Sequence, residues 1–574
     1  MNERHPTAPL LGGEEDGERR CPMMDMVLCL ASLLTSAEAS FPDWRAEMLG
    51  DRPLPACAGE RLSQAELARI AQGQPITPYA ELTVAVRAAD GVLWAGSPGG
   101  LLRLVPGQHR WRVFHSRRWL PDDHVLDLAV AADGSVWVRT RSGTGRLWTQ
   151  ATTFEAKAAE VHAALRKHHV WNGLVRRILL HRPGDVSGGY EQPSDDNDGL
   201  WTSLYVAAEA FRYGATGDPE AKRNAWQSLQ ALMFLEKITG IPGFAARSYV
   251  PREEGDPAKR YGGEWHPSAD GRWWWKGDTS SDEVVGHYFA YAVYYDVAAT
   301  EDEKRQIRPV VARITDHIID HGFYYVGPPG KPTTWGVWAP EQLNRNLQRA
   351  GDRGLNSLEV LSHLKVAEHI TGNPRYAAAA RELDEKHGYA INTILQKMDW
   401  PPELVNHSDD ELAFLAYYPL LRYERDTRRR AIYQVSMARS WHIERPEGSP
   451  LWNFIYATSR QANHWTQPSE RPPKALIATE DYDRDVCLEW FRDVPVDTIR
   501  WAVRNSDRRD VQGRATNRFG RSKTLEVLPI SERMMLRWNA DPYELDQGGD
   551  GRERGDGVLI LLPYWLGRYH RLLD

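Results

Sequence analysis

The chain has 574 residues, 42% of them apolar and 26% charged, with a formal charge of −7. That much apolar sequence excludes a disordered or fibrous protein. The mild acidity excludes a general nucleic-acid binder, which needs a basic surface to displace phosphate counterions. No apolar run approaches the roughly 18 residues that cross a bilayer, so no membrane span is expected. The length provides for several domains, or for one large α-rich domain and a small one. Tryptophan is the outlier, with 23 residues. Such an excess implies either a very aromatic core or an aromatic-lined cleft.

Arg19-Arg20 precede an apolar stretch from Met26 to Thr35, and Ala37-Glu38-Ala39 fits a small-x-small cleavage site. Residues 1–39 therefore read as a secretory signal, and export to the periplasm or medium is expected. Residues 40–80 read as a linker. Beyond the leader only Cys57 and Cys487 remain. Two cysteines make neither a disulfide framework nor a zinc cluster, so the core must supply stability.

Residues 81–149 read as β-structure. Asp90-Gly91-Val92-Leu93-Trp94 and Asp133-Gly134-Ser135-Val136-Trp137 are two copies of one device, a tight Asp-Gly turn entering an alternating strand. The copies lie at a propeller-blade spacing. The segment resembles the repeat of propellers in two-component regulators. Two blades cannot close a ring, so the resemblance implies a small β module docked on a larger domain.

From Phe154 on the period becomes helical. Charged, one-faced segments alternate with segments apolar on nearly every side. The predicted helices are Ala156–His169, Leu200–Arg212, Pro219–Thr239, Glu283–Ala298, Glu301–Ile319 and Leu355–Ile370. They continue with Asn373–Met398, Leu412–Arg422, Thr427–Trp441, Leu451–Thr458, Val486–Val503 and Val558–Leu573. All-round apolar helices are buried, and one-faced helices pack outside them. The resulting six outer and inner pairs resemble the six-hairpin (α/α)6 toroid of many glycoside hydrolases and polysaccharide lyases. The expected fold is mainly α: such a toroid over 154–574 carrying the small N-terminal β module. An open helical array is the rival; the long, dissimilar loops argue against it.

The loops before the apolar helices are rich in Trp, Asp and His. Ser, Asp and Glu there also cap helix starts. Taken together, the acids place carboxylates from several helices around one cleft. Paired carboxylates are what glycoside hydrolysis requires: one protonates the leaving oxygen, the other activates water or attacks. Glu283 or Asp282 is the expected acid, with Asp278 as neighbour. Asp409 or Asp410 is the expected base, with Asp198 as competitor. Trp265, Trp273, Trp274, Trp275, Trp335 and Trp338 lie in the same loops and suit the flat faces of sugars. Arg247, His287, Asn356 and His407 complete the expected substrate contacts. An oligo- or polysaccharide is the expected partner.

A lyase on the same loops would need a Tyr or His base and a cation or amide that neutralises a uronate carboxylate; His287, Tyr288, Tyr291, His407, Arg247, Asn356 and Tyr249 are available for those roles. A sugar isomerase would also use histidines, and a non-catalytic carbohydrate sensor is the reading from another class. His317 and His321 stand at i, i+4 without an HExxH motif, on a face that Asp316 and Asp320 mark as solvated, so no metal is expected. The sequence has no GxGxxG, GxxxxGK or GxSxG motif. Neither a nucleotide cofactor nor a serine hydrolase is indicated.

Overall fold

A computed structural model describes residues 39–396, 406–461, 479–516, 520–533 and 540–573. The expected signal segment lies outside the described residues except for Ala39. So does the C-terminal end of the predicted helix Asn373–Met398. From Phe41 onward the chain forms one compact unit.

The N-terminal part is built from strands β1 (Phe41–Met48), β2 (Glu60–Arg61), β3 (Val84–Arg87), β4 (Leu93–Ser97), β5 (Gly100–Leu104), β6 (Arg112–Phe114), β7 (Val125–Val130), β8 (Val136–Thr140) and β9 (Gly143–Thr152), with helix α1 (Gln64–Gln72). They form two antiparallel sheets of order β2-β3-β4-β5-β6 and β1-β9-β8-β7. Both Asp-Gly devices make the same turn. Asp90 Oδ1 accepts the Val92 amide and Asp133 Oδ1 the Ser135 amide, each at 3.0 Å. Gly91 and Gly134 supply φ of +82° and +78°, which an L side chain rarely adopts. The segment read as a linker contributes β1, which pairs with β9 from Phe41 to Met48. A strand from outside the repeat thus completes the second sheet and covers its edge.

The rest of the chain carries helices α2 (Phe154–His168), α3 (Asp198–Thr216), α4 (Pro219–Thr239), α5 (Ser281–Val297), α6 (Glu301–Asp320), α7 (Asp352–Thr371), α8 (Pro374–His387), α9 (Ser408–Tyr423), α10 (Thr427–Glu444), α11 (Pro450–Gln461), α12 (Arg484–Asp493) and α13 (Val558–Tyr569). The apolar helices pack on one another: α3 against α5 and α13, α5 against α7 and α9, and α7 against α9. Helices α4, α6 and α8 cover them with one buried face each.

The expected mainly-α toroid is nevertheless overturned. Helix accounts for 47% and strand for 21%, and the strands form seven separate sheets among the described residues, so the protein is a mixed α and β structure. Much of this strand content lies within the region read as wholly helical. The strands there are, in chain order, β10 (Val170–Trp171), β11 (Leu174–Val175), β12 (Ile178–Arg182), β13 (Asp185–Glu191), β14 (Tyr249–Pro251), β15 (Trp265–Pro267), β16 (Trp273–Lys276), β17 (Tyr324–Gly327), β18 (Lys331–Val337), β19 (Ile499–Arg504), β20 (Ala515–Thr516), β21 (Ser522–Lys523) and β22 (Asp546–Arg554), and four of them form one sheet, β13-β12-β22-β19. The predicted helix Val486–Val503 is a helix only to Asp493. Beyond it Ile499, Trp501 and Val503 are buried while Ala502 and Arg504 are exposed. That period of two is a strand's.

The two sheets of the N-terminal part are tied to the C-terminal segments by buried charge. Glu532 accepts the Val113 amide of β6 at 3.0 Å and Arg508 Nη1 at 2.7 Å. His115 Nε2 lies 3.0 Å from the Glu532 carbonyl. Lys157 of α2 pairs with Asp43 of β1 at 3.0 Å.

Asp556 precedes α13, and its Oδ1 accepts the Val558 amide at 2.8 Å. Burial raises its carboxyl to about 6, against an unfolded value of about 3.9. The folded state therefore holds this proton more tightly. Stability from this group is fully present below about 4 and is lost as pH rises toward about 6. Asp556→Asn keeps an acceptor for the cap and is expected to remove that decline. Denaturant midpoints at pH 5 and pH 7 check it.

Candidate functional site

The starts of α3, α5, α7 and α9 carry the acids of interest. Asn197 takes a left-handed conformation, φ +67°, just before α3. Its side-chain oxygen accepts Arg247 Nη2 at 2.9 Å and Ser280 Oγ at 2.9 Å. Its amide nitrogen donates to Asp282 Oδ2 at 3.3 Å. Asn197 thus joins the start of α3 to the start of α5, with the Arg247 guanidinium beside both. Burial pushes the Asp282 carboxyl up, and Arg247 only partly offsets this.

Glu283 is fully buried. Its Oε2 accepts the Leu200 amide at 3.1 Å and its Oε1 lies 3.1 Å from His287 Nε2. One carboxylate therefore satisfies a free N–H of α3 from the neighbouring helix. Burial raises Glu283 too, against the pull of His287. A Cβ on Gly199 would stand 1.6 Å from Glu283 Oε1. Gly199→Ala is expected to cost about 1–3 kcal/mol through overpacking and to lift Glu283 off the Leu200 amide. A thermal melt checks the stability, and turnover reports the displaced carboxylate.

Asp198 is also fully buried, but it is committed to structure. Arg176 Nε donates to it at 2.7 Å, and Ser248 Oγ donates to the same oxygen. Arg176 in turn stacks on Trp171 at 4.0 Å. Asp278, φ +46°, accepts the Thr334 amide at 2.7 Å and the Thr334 hydroxyl at 3.0 Å. It anchors the hairpin of β17 (Tyr324–Gly327) and β18 (Lys331–Val337). The carboxylates of Asp198 and Asp278 are thus engaged by neighbouring segments.

On α7, Glu359 and His363 repeat the i, i+4 spacing of Glu283 and His287 on α5. Glu359 Oε2 accepts Trp338 Nε1 at 2.9 Å. Burial drives Glu359 well above the usual carboxylate range, and the neighbouring charges of Asp282 and Asp409 push it further. His363 stacks on Tyr288 at 4.3 Å, and burial lowers it to about 3. These two residues were not singled out from the sequence; the repeated Glu-x-x-x-His spacing was the available signal. On α9, Asn406 Nδ2 donates to Asp409 Oδ1 at 2.8 Å, and Asp410 is 1% exposed. His407 Nε2 lies 3.7 Å from Asp541. Asn356 is buried, donating to the Val337 carbonyl at 2.8 Å.

Beside this cluster opens a cavity of about 530 Å³, lined by Asp196, Arg247, Lys276, Asp278, Lys331 and Thr334 among others. Lys276, also not singled out from the sequence, pairs with Asp196.

The expected tryptophan wall is corrected. Trp273–Trp275 lie in β16 (Trp273–Lys276), which sits between β14 (Tyr249–Pro251) and β15 (Trp265–Pro267), so their side chains alternate between faces. Trp275 is a core residue at 3% exposure, and Trp273 packs on Tyr249 and Phe234. Trp274 lies on the opposite face beneath Arg252. Trp338 is fully buried. None of these four lines the cavity. Trp265 is half-buried, with Lys276 Nζ 5.8 Å from its ring. Trp335 is 54% exposed and follows the cavity residue Thr334.

No family model and no curated protein matches this chain.

Proposed function

We propose that this protein is a glycoside hydrolase acting on an oligo- or polysaccharide. The observation that carries the reading is Asp282. Its carboxyl is raised by burial, oriented by Asn197 and Arg247, and acts on Glu359 together with Asp409 of another helix. A carboxyl raised by burial holds its proton to higher pH than a solvated one, the direction a general acid that protonates a glycosidic oxygen needs. Asp409, whose charge also bears on Glu359, takes the part of the carboxylate that activates water in this reading. Glu283 holds α3 and α5 in register and acts through them. The polar cavity lined by Arg247 and Lys276 supplies donors for hydroxyls, and exposed Trp335, next in sequence to its wall residue Thr334, supplies a flat face for a ring.

The tyrosines weigh against elimination. Burial pushes Tyr249 up to about 12 and raises Tyr288 and Tyr291 further, whereas a tyrosine base requires a lowered value.

The test is a polysaccharide panel read for reducing ends and ultraviolet absorbance together. New reducing ends without absorbance support hydrolysis. Absorbance at the cut ends would overturn it in favour of elimination, and no cleavage of any glycan would remove the enzyme reading. On the glycan that is cleaved, Trp335→Ala is expected to raise KM severalfold with little change in kcat, as loss of uniform binding does. Initial rates over a substrate series check it.

A further inference from the structure

A second, larger cavity of about 1120 Å³ lies where the two N-terminal sheets face the C-terminal segments, far along the chain from the acids above. Trp44, Trp94, Arg103, Arg112, Trp490 and Asp493 are among its walls. Arg103 is held against two rings, Trp44 at 5.5 Å and Trp94 at 5.7 Å. Arg112 sits over Phe114 at 5.0 Å and Trp44 at 6.0 Å. Two guanidinium groups thus flank one indole.

Their acid partners are unequal. Arg112 pairs with Asp493 at 3.0 Å. Arg103 makes no ion pair or hydrogen bond among the described residues. The other acids of the wall are engaged elsewhere. Asp90 accepts its own hairpin amide, Glu532 is taken by Arg508, Glu447 accepts Trp452 Nε1, and Glu489 pairs with Arg492. Burial and the like charge of Arg112 disfavour the Arg103 cation, and the charge of Asp90 offsets them only in part. A structure that stacks an arginine on two aromatic faces, beside a second arginine and with no ion pair of its own among the described residues, presents rigid donors for a planar or tetrahedral anion.

We infer that this cavity binds a small organic anion, with its carboxylate or phosphoryl oxygens on Arg103 and Arg112 and its body against Trp44. The volume exceeds what a bare inorganic anion fills and matches a ligand of one to a few rings. The inference does not depend on the hydrolase reading.

The experiment is calorimetric titration of the full chain carrying Asp282→Asn, so that turnover adds no heat. The probes are trigalacturonate for a carboxylate ligand, glucose 6-phosphate for a phosphoryl ligand, and maltotriose as the neutral control. At least one anionic probe is expected to bind ten times more tightly than maltotriose or better, and Arg103→Gln to weaken that binding about tenfold or more. Arg247→Gln, in the other cavity, is expected to leave it unchanged. Response to one anion alone identifies the headgroup. Should Arg103→Gln fold poorly, Arg103→Lys keeps the charge without the fork and is expected to lose part of the affinity. Equal binding of anionic and neutral probes, undiminished binding in the Arg103 variants, or loss on Arg247→Gln instead would overturn the assignment.

Discussion

Asp282→Asn is expected to lower kcat on the cleaved glycan by about 10²–10⁴-fold, the range of a lost general acid, with KM little changed. The substitution is nearly isosteric. Its remaining oxygen can still accept Asn197 Nδ2, so the join between α3 and α5 is retained. What it lacks is the transferable proton. The sign of the pH effect follows from burial. Desolvation raises Asp282, so the protonated, active form persists to higher pH. In the wild type kcat/KM then falls as pH rises through that raised value, giving the alkaline limb of the profile. Asp282→Asn is expected to lose this limb, and Asp409→Asn the acidic one. A leaving group that needs no protonation, such as a dinitrophenyl glycoside, is expected to restore much of the Asp282→Asn rate. Unchanged turnover on the natural glycan would sink the assignment of Asp282.

Glu532→Ala is expected to destabilise the protein by about 3 kcal/mol, the lower end of the range for breaking one partner of a buried ion pair. Glu532 is 1% exposed and Arg508 is fully buried. Truncation strands Arg508 and the Val113 amide together. The lower end applies because Asp510 still faces Arg508 at 2.8 Å. The effect is read as a denaturant midpoint, with limited proteolysis of the N-terminal sheets as the local probe, since β6 loses its anchor. Glu532→Met combined with Arg508→Met removes both charges of this pair but takes the partners of Asp510 and the Val113 amide with them, so it is expected to recover only part of the loss. A single substitution that costs under about 1 kcal/mol would place the anchor of the sheets elsewhere.

Features that depend only on neighbours along the chain were legible in the order of residues. The Asp-Gly turns at Gly91 and Gly134 need only a positive φ and a nearby carboxylate, and both are local. The span Pro219–Thr239 was legible as a helix to the residue, because Asp218 caps one end and Gly240 terminates the other. The burial of α3 and α5 followed from their lack of a polar face.

Tertiary structure decided the rest. The strands Ile178–Arg182 and Asp546–Arg554 pair across more than 360 residues, and no local period announces a partner so distant. Those pairings are what turned an expected helical toroid into a mixed fold. The Trp273–Trp275 run read as one aromatic wall, but a strand alternates its side chains and divided it between two faces. The candidate acids were legible only as helix-start residues, a description that capping and catalysis share. Their environments separated them: Arg176 claims Asp198, the Leu200 amide and His287 claim Glu283, Thr334 claims Asp278, and Asp282 keeps a burial-raised carboxyl beside Arg247. Such distinctions rest on desolvation and on distances of a few ångströms between remote segments, and a linear order of residues specifies neither until the chain has folded.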